Sequence, residues 1–142
     1  MGQINLGRVI LGGLLAGVIL NVGEAALHGG ILAEEARAAL TALKPGFQEH
    51  PMYMAMLVAL TFVQGVMAVW LYAAIRPRFG PGPKTAVCAG LLVWFFSAVY
   101  AAVYLHAGTA ELFPAKIVWL PVGWELVEFP LATVAGAWLY KE

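Results

Sequence analysis

The sequence predicts an all-α, polytopic membrane protein: a four-transmembrane-helix bundle in a single domain, residues 1–142, with a short interfacial helix after the first span. Two observations lead to this fold class. Hydrophobic residues make up 62% of the chain and the mean hydropathy is +0.83, which is too apolar for an ordinary soluble domain. The apolar residues also fall into four runs of about 20 residues or slightly more, enough to cross a hydrocarbon core about 30 Å thick. We place the spans at residues 6–32, 52–75, 85–106 and 117–140.

The charge composition narrows the function classes. Charged residues make up 11% of the chain and the formal net charge is zero, so the chain lacks the basic footprint of a nucleic-acid-binding protein. Its single cysteine, Cys88, excludes an internal disulfide and a cysteine-based metal site. The partners that this composition predicts are the lipid bilayer and either a second copy of the chain, as a homo-oligomer, or a larger membrane complex.

The segments between the spans have distinct patterns. Residues 33–44 are rich in alanine, with leucines on one side and charges elsewhere. This predicts a helix lying at the membrane interface, with a plain helical connector as the alternative. Residues 76–84 contain three prolines and two glycines, and we predict a non-helical hairpin there.

The distribution of Lys and Arg predicts the orientation, because cytoplasmic loops carry an excess of these residues. With four spans, both termini lie on the same side as the hairpin between spans two and three. That side holds five basic residues: Arg8, Arg76, Arg78, Lys84 and Lys141. The other side holds three basic residues among four glutamates: Arg37, Lys44 and Lys116, with Glu34, Glu35, Glu49 and Glu111. We therefore expect a multi-pass protein of the cell inner membrane with both termini in the cytoplasm.

The polar residues inside span one share one helical face. Gly13, Gly17, Asn21, Glu24 and His28 are spaced by four, four, three and four residues, and residues three or four apart lie on the same side of a helix. An ionised side chain at the bilayer centre costs about 2.5–3.5 kcal/mol on insertion scales. We therefore expect this face to meet other helices or a hydrated cavity. The glycines allow another backbone to come close, and the Gly29-Gly30 pair further along is expected to loosen the helix.

Span four carries a matching face, formed by Pro121, Glu125, Glu128, Ala132 and Gly136. In both spans the carboxylates lie in the half away from the termini and the small residues lie in the other half. The simplest packing places the two faces against each other, small residue on small residue and polar on polar. This predicts a shared site of four groups: Glu24, His28, Glu125 and Glu128. Four further polar residues are expected to support it: Asn21, Gln64, Tyr100 and Tyr104.

The predicted site has too little positive charge. Glu24, Glu125 and Glu128 are three carboxylates inside spans, and no Lys or Arg lies at that depth. An unpaired ionised carboxylate in an apolar setting costs several kcal/mol, so these groups are either protonated or hold a cation. We therefore predict that the four groups bind or relay protons or a cation.

A divalent metal is the candidate cofactor, with Glu24, His28 and Glu128 as its ligands, because Glu and His bind zinc, iron and manganese. The set partly resembles the ligand pattern of four-helix di-iron proteins, which take Glu from two helices and Glu-x-x-His from two others. It departs from that pattern, since the spacings here are Glu-x-x-x-His and Glu-x-x-Glu.

The same residues leave several functions open. The first is proton or cation binding in a transport or ion-binding role. In the second, a membrane-embedded enzyme acts on a lipid-soluble substrate, with the same carboxylates as general acid and base. In the third, the chain is a non-catalytic accessory subunit of a membrane complex. In the fourth, Glu24 and His28 only fix the register of the helices. The sequence assigns no catalytic residue.

Overall fold

The computed structural model describes residues 4–109 and 112–141; Glu111, counted above on the side away from the termini, lies outside these ranges. Within them, all regular elements are helical. Four helices are long and apolar enough to cross a membrane: Leu6–Ile31, Pro51–Phe79, Pro83–Gly108 and Ala115–Trp138. The predicted fold class, an all-α multi-pass membrane protein with four spans, is therefore confirmed.

The spans contain both α-helical and π-helical segments. In chain order the elements are α1 (Leu6–Ala26), π1 (Leu27–Ile31), α2 (Ala33–Leu43), α3 (Pro51–Phe79), α4 (Pro83–Trp94), π2 (Phe95–Val99), α5 (Tyr100–Thr109) and α6 (Ala115–Trp138). Span one is α1 with π1, span two is α3, span three runs through α4, π2 and α5, and span four is α6. The predicted helix after the first span is present as α2, and its position at a membrane interface stays a prediction.

The hairpin predicted to be non-helical over residues 76–84 is much shorter in the structure. α3 continues to Phe79 with Pro77 inside it, and α4 begins at Pro83. Because Pro77 lies near the C-terminal end of α3, the backbone hydrogen bond that it cannot donate is missing only from the last turns of the helix. Pro83 occupies the first helical turn, where its missing N–H is not needed. The turn is left to Gly80–Gly82, whose two glycines have φ of +85° and +127°, angles that favour glycine.

The spans form an antiparallel bundle in which α1 packs against α3 on one side and α6 on the other. Gly17 lies against Phe62 of α3, whereas Gly12 lies against Gly136 of α6. Gly13 also lies closest to α3, so the predicted pairing of Gly13 and Gly17 with the small residues of span four is corrected. The physical reason is that successive residues are about 100° apart around a helix. Gly12 and Gly13 therefore face different neighbouring helices.

The hydrophobic core lies in the half of the bundle that contains both chain ends, which we call the termini end. There the Asn5 N–H donates to the Tyr140 hydroxyl oxygen at 3.4 Å, and the Tyr72 and Tyr140 rings pack edge to face at 6.0 Å. The core residues are Val9, Ala16, Leu20, Val69, Tyr72, Ala73, Ala86, Ala89, Phe129, Ala132, Ala137 and Tyr140. The opposite half, the far end, is more open, since every one of residues 51–60 in α3 is exposed.

Candidate functional site

Glu24 and His28 form a polar pair in the far half of span one. His28 Nε2 lies 3.2 Å from Glu24 Oε2, one helical turn away. The side chain of His28 is 49% exposed and that of Glu24 is 28% exposed. The pair therefore extends from the bundle interior toward the surface, with His28 at the outer position.

His28 lies in π1, and the wider helical turn there sets its position. The Leu32 N–H donates to the Leu27 carbonyl oxygen at 2.8 Å, a bond that spans five residues instead of four. Gly29 and Gly30 lie inside this segment. Because glycine is a poor α-helix former, the chain departs from α-helical geometry easily at these residues. π-helical turns within α-helices are frequent at functional sites. The glycine pair predicted a loosened helix, but it did not predict the extra residue in the turn.

Glu128 of α6 is the most buried ionisable group of the predicted site. The residue is 8% exposed, and both of its carboxyl oxygens are buried without a hydrogen-bond partner. They lie against Gly23 of α1, where an added Cβ would be 1.9 Å from Oε1. An unsatisfied buried polar group costs about 1–3 kcal/mol, and an unpaired anion costs far more. Burial of this carboxyl group is therefore costly, and no hydrogen bond of good geometry offsets that cost.

Trp124, one turn before Glu128 on α6, supplies the side-chain donor next to the Glu128 carboxyl group. Its indole Nε1 is buried without a hydrogen bond of good geometry, and it is the side-chain donor that acts on the Glu128 carboxyl group. In native structures, unsatisfied buried groups are few and call for an explanation. Two of them on consecutive turns of α6 mark this part of the bundle as a site.

The four groups predicted from the sequence form one electrostatic cluster, which we call the acidic cluster: Glu24, His28, Glu125 and Glu128. The charge of Glu125 interacts with those of Glu24, Glu128 and His28, and the charge of Glu128 interacts with those of Glu24 and His28. The nearest basic residue along α6, Lys116, is paired with Glu35 of α2 at 2.5 Å. The acidic cluster thus joins spans one and four, and no Lys or Arg of the described residues acts on it as a counter-charge.

The predicted supporting residues take different positions. Asn21 donates from Nδ2 to the Gly17 carbonyl oxygen at 2.8 Å and to the Val58 carbonyl oxygen at 3.5 Å, so it links α1 to α3. Gln64 is half-buried in α3. Tyr100 and Tyr104 are 61% and 73% exposed, and their rings stack on each other at 6.3 Å. The structure does not bring these two tyrosines to the acidic cluster.

The candidate metal ligands are not assembled as a set. Across residues 4–109 and 112–141, no group of three or more His, Cys, Asp or Glu side chains is placed to hold a metal ion. Glu24 is turned to His28, while the carboxyl group of Glu128 packs against Gly23. The geometry therefore gives no support to Glu24, His28 and Glu128 as a metal site.

Two residues that matter here were missed from the sequence, Gly23 and Trp124. Gly23 precedes Glu24 and belongs to the face of α1 that meets α6, a face that the spacing of the polar residues did not reveal. Trp124 lies four residues before Glu128, and that spacing is the signal that places both on one side of a helix.

Comparison with protein-family models, with curated proteins and with solved structures gives no match. The function therefore has to be inferred from the acidic cluster itself. Its distinguishing features are the buried, unpartnered carboxyl group of Glu128 and the exposed polar pair next to it.

Proposed function

We propose that this protein is a membrane proton-binding protein whose binding group is the carboxyl group of Glu128, with Glu24 and His28 passing the proton to and from it. The observation that carries the proposal is the burial of both Glu128 carboxyl oxygens without a hydrogen-bond partner. In an apolar site, a carboxyl group avoids the large cost of an unpaired charge by taking up a proton. Proton occupancy at Glu128 is then part of the folded state.

A proton fits the site better than a metal ion does. A transition metal in a protein takes three or four ligands, and no such group is placed together among the described residues. A proton needs only one carboxyl oxygen and a group with which it can exchange. The Glu24–His28 pair supplies that group within electrostatic reach of Glu128.

A purely structural role accounts less well for the same geometry. Polar residues that fix helix register in membranes do so by hydrogen-bonding across helices. Asn21 behaves in this way, since it bonds to the backbone of α3. Glu128 makes no such bond, so its burial adds cost without adding a link between helices.

The location in the inner membrane with both termini in the cytoplasm is part of this proposal. It is supported by the excess of basic residues on the termini side of the sequence. Under this orientation, the exposed His28 faces the side of the membrane opposite the cytoplasm.

Labelling with the lipid-soluble reagent dicyclohexylcarbodiimide tests the proposal, because carbodiimides react with protonated carboxyl groups. We expect mass spectrometry of the protein in detergent to find the adduct on Glu128, with a yield that falls as the pH is raised from about 5 to about 9. Glu128→Gln should lose the adduct. The matched control is Glu34→Gln, which changes an exposed acid of α2 and should leave labelling intact. Absence of the adduct on Glu128 throughout this range would contradict the proposal.

A further inference from the structure

We infer, resting on the function proposed above, that the proton on Glu128 exchanges with the far side of the membrane only, so that the protein senses the pH of that side and does not conduct protons through the bilayer. The two halves of the bundle differ in a way that points to this. The far half offers polar, partly exposed groups next to Glu128, whereas the termini half is closed by backbone contact and apolar side chains.

Direct backbone contact closes the interface of α1 and α6 on the termini side of Glu128. A Cβ built on Gly12 would lie 2.3 Å from the Gly136 carbonyl oxygen, and one built on Gly136 would lie 2.5 Å from the Gly12 carbonyl oxygen. Helices come this close only where both carry small residues. Such an interface has no room for a chain of water molecules.

The contact of α4 with α6 closes a second side. A Cβ on Gly90 would lie 2.9 Å from both the Phe129 carbonyl oxygen and Pro130 Cα. Phe129, the residue after Glu128, is 2% exposed and belongs to the hydrophobic core. α6 is therefore in close contact with neighbouring helices on two sides as it continues toward the termini.

The buried polar side chains of the termini half are hydroxyl groups that are engaged in hydrogen bonds. Besides Glu128, the buried residues with a polar side-chain group among the described residues are Thr85, Thr133, Tyr72 and Tyr140. The two tyrosine hydroxyls accept from the Gly82 and Asn5 N–H groups. Thr133 donates to the Phe129 carbonyl oxygen at 2.7 Å, and Thr85 donates to the Gly80 carbonyl oxygen at 2.7 Å. Buried water needs about two to four polar partners, and the other core residues of this half are apolar.

The far half contains ionisable side chains that can exchange a proton with Glu128. The charged groups that act on Glu128 are Glu24 and His28 of span one and Glu125 of its own helix. The charge interactions of Glu128 include no group from α3 or from α4 among the described residues. His28 is half-exposed, 3.2 Å from Glu24 and close to the far end of span one, which ends at Ile31, so it is the member of span one's pair nearest the far surface.

Loss of the proton is expected to move the two helices that carry the cluster. An ionised Glu128 would add a negative charge next to Glu24 and Glu125, and like charges at short range in an apolar site repel strongly. On the side of α1 the carboxyl group is in contact with Gly23, so a repulsion acts directly across the interface of α1 and α6. Separation of α1 and α6 at the far end relieves the repulsion, and the half-buried Trp124, whose Nε1 is buried, is placed to report it.

The test uses the full chain in lipid vesicles, with its orientation established by protease access to a terminal tag. A pH jump is applied to one side at a time while tryptophan emission is recorded, and a pH dye trapped inside reports proton flux. We expect a jump on the far side to shift the emission and a jump on the termini side to leave it unchanged. Flux should equal that of empty vesicles. The shift should be lost in Glu128→Gln and in Trp124→Phe.

Substitutions of the residues proposed to pass the proton make the test more specific. Glu24→Gln and His28→Gln should slow the response to a far-side jump, whereas Glu34→Gln should respond at the wild-type rate. A response to termini-side jumps, or proton flux above empty vesicles that is lost in Glu128→Gln, would overturn one-sided exchange and leave proton binding at Glu128 standing. Absence of any emission shift on either side, together with absence of carbodiimide labelling, would overturn the proposed function and this inference with it.

Discussion

The carboxyl group of Glu128 in α6 occupies the space that a side chain at Gly23 of α1 would fill, since an added Cβ would lie 1.9 Å from Oε1 and 2.4 Å from Cδ. Span one therefore accommodates the one fully buried carboxyl group of the acidic cluster by having no side chain at the point of contact. This relationship links the packing of two spans to the protonation of one group.

Substitution of Gly23 tests that contact. Gly23→Ala places a methyl group on the Glu128 carboxyl group, and we expect it to lower the free energy of unfolding in detergent by about 1–3 kcal/mol through overpacking. Glu128→Ala should restore part of the loss in the double variant, because it removes the atoms that clash. Gly123→Ala is the matched control, since nothing lies within 4 Å of a Cβ at that position of α6. Equal effects of Gly23→Ala and Gly123→Ala would refute the contact.

The pH dependence of stability should depend on Glu128. Its burial makes the ionised form costly, so the thermal unfolding temperature of the wild type is expected to fall as the pH rises through the range in which this group loses its proton. The folded state is favoured below that range, where the carboxyl group is neutral. Glu128→Gln keeps a neutral group of similar shape and should flatten the profile, as measured by thermal unfolding in detergent at a series of pH values. A wild-type profile already as flat as that of the variant would contradict this.

The close approach of α1 to α6 at the termini end should be sensitive to a single methyl group. Gly12→Ala places a Cβ against the Gly136 carbonyl oxygen. A backbone atom cannot move away by a change of rotamer. Overpacking of this kind costs about 1–3 kcal/mol. Gly7→Ala is the control from the same helix, because its nearest neighbour, Asn5 Oδ1, is at 3.5 Å. Chemical denaturation in mixed micelles measures both variants, and a Gly12→Ala protein as stable as Gly7→Ala would show that the helices are further apart.

The ion pair between Glu35 of α2 and Lys116 of α6 is expected to contribute little to the free energy of unfolding. The side chains are 44% and 53% exposed, and exposed pairs contribute at most about 1 kcal/mol. Lys116→Gln should therefore shift the unfolding midpoint only slightly, and added salt should reduce the difference from wild type. A large loss, unaffected by salt, would indicate that α2 is held to span four more firmly than this pair allows.

Added divalent metal should not stabilise the protein. Because no three ligands are grouped among the described residues, zinc or manganese at micromolar concentration is expected to leave the thermal unfolding temperature unchanged. The result should be the same in the wild type and in His28→Ala. Stabilisation that depends on both His28 and Glu24 would show that these side chains rearrange into a metal site.

The sequence by itself determined the membrane class, the number of spans and the spans that carry the acidic residues. These features follow from local properties: run length and hydropathy decide which segments cross a bilayer, and helical spacing decides which side chains share a face. Glu24, His28, Glu125 and Glu128 could therefore be assigned to one region before any packing was known. The hairpin was misjudged because local proline content does not reveal how near a helix end each proline lies.

Only the tertiary structure decided which helix faces meet and which polar groups are left without partners. α1 has two buried faces about 100° apart, and the choice of Gly12 and Gly23 for α6, with Gly13 and Gly17 for α3, depends on how the spans are arranged around each other. The same arrangement buries Glu128 and leaves Tyr100 and Tyr104 exposed. Burial and hydrogen-bond partners are properties of several helices at once, so the periodicity of one span cannot supply them.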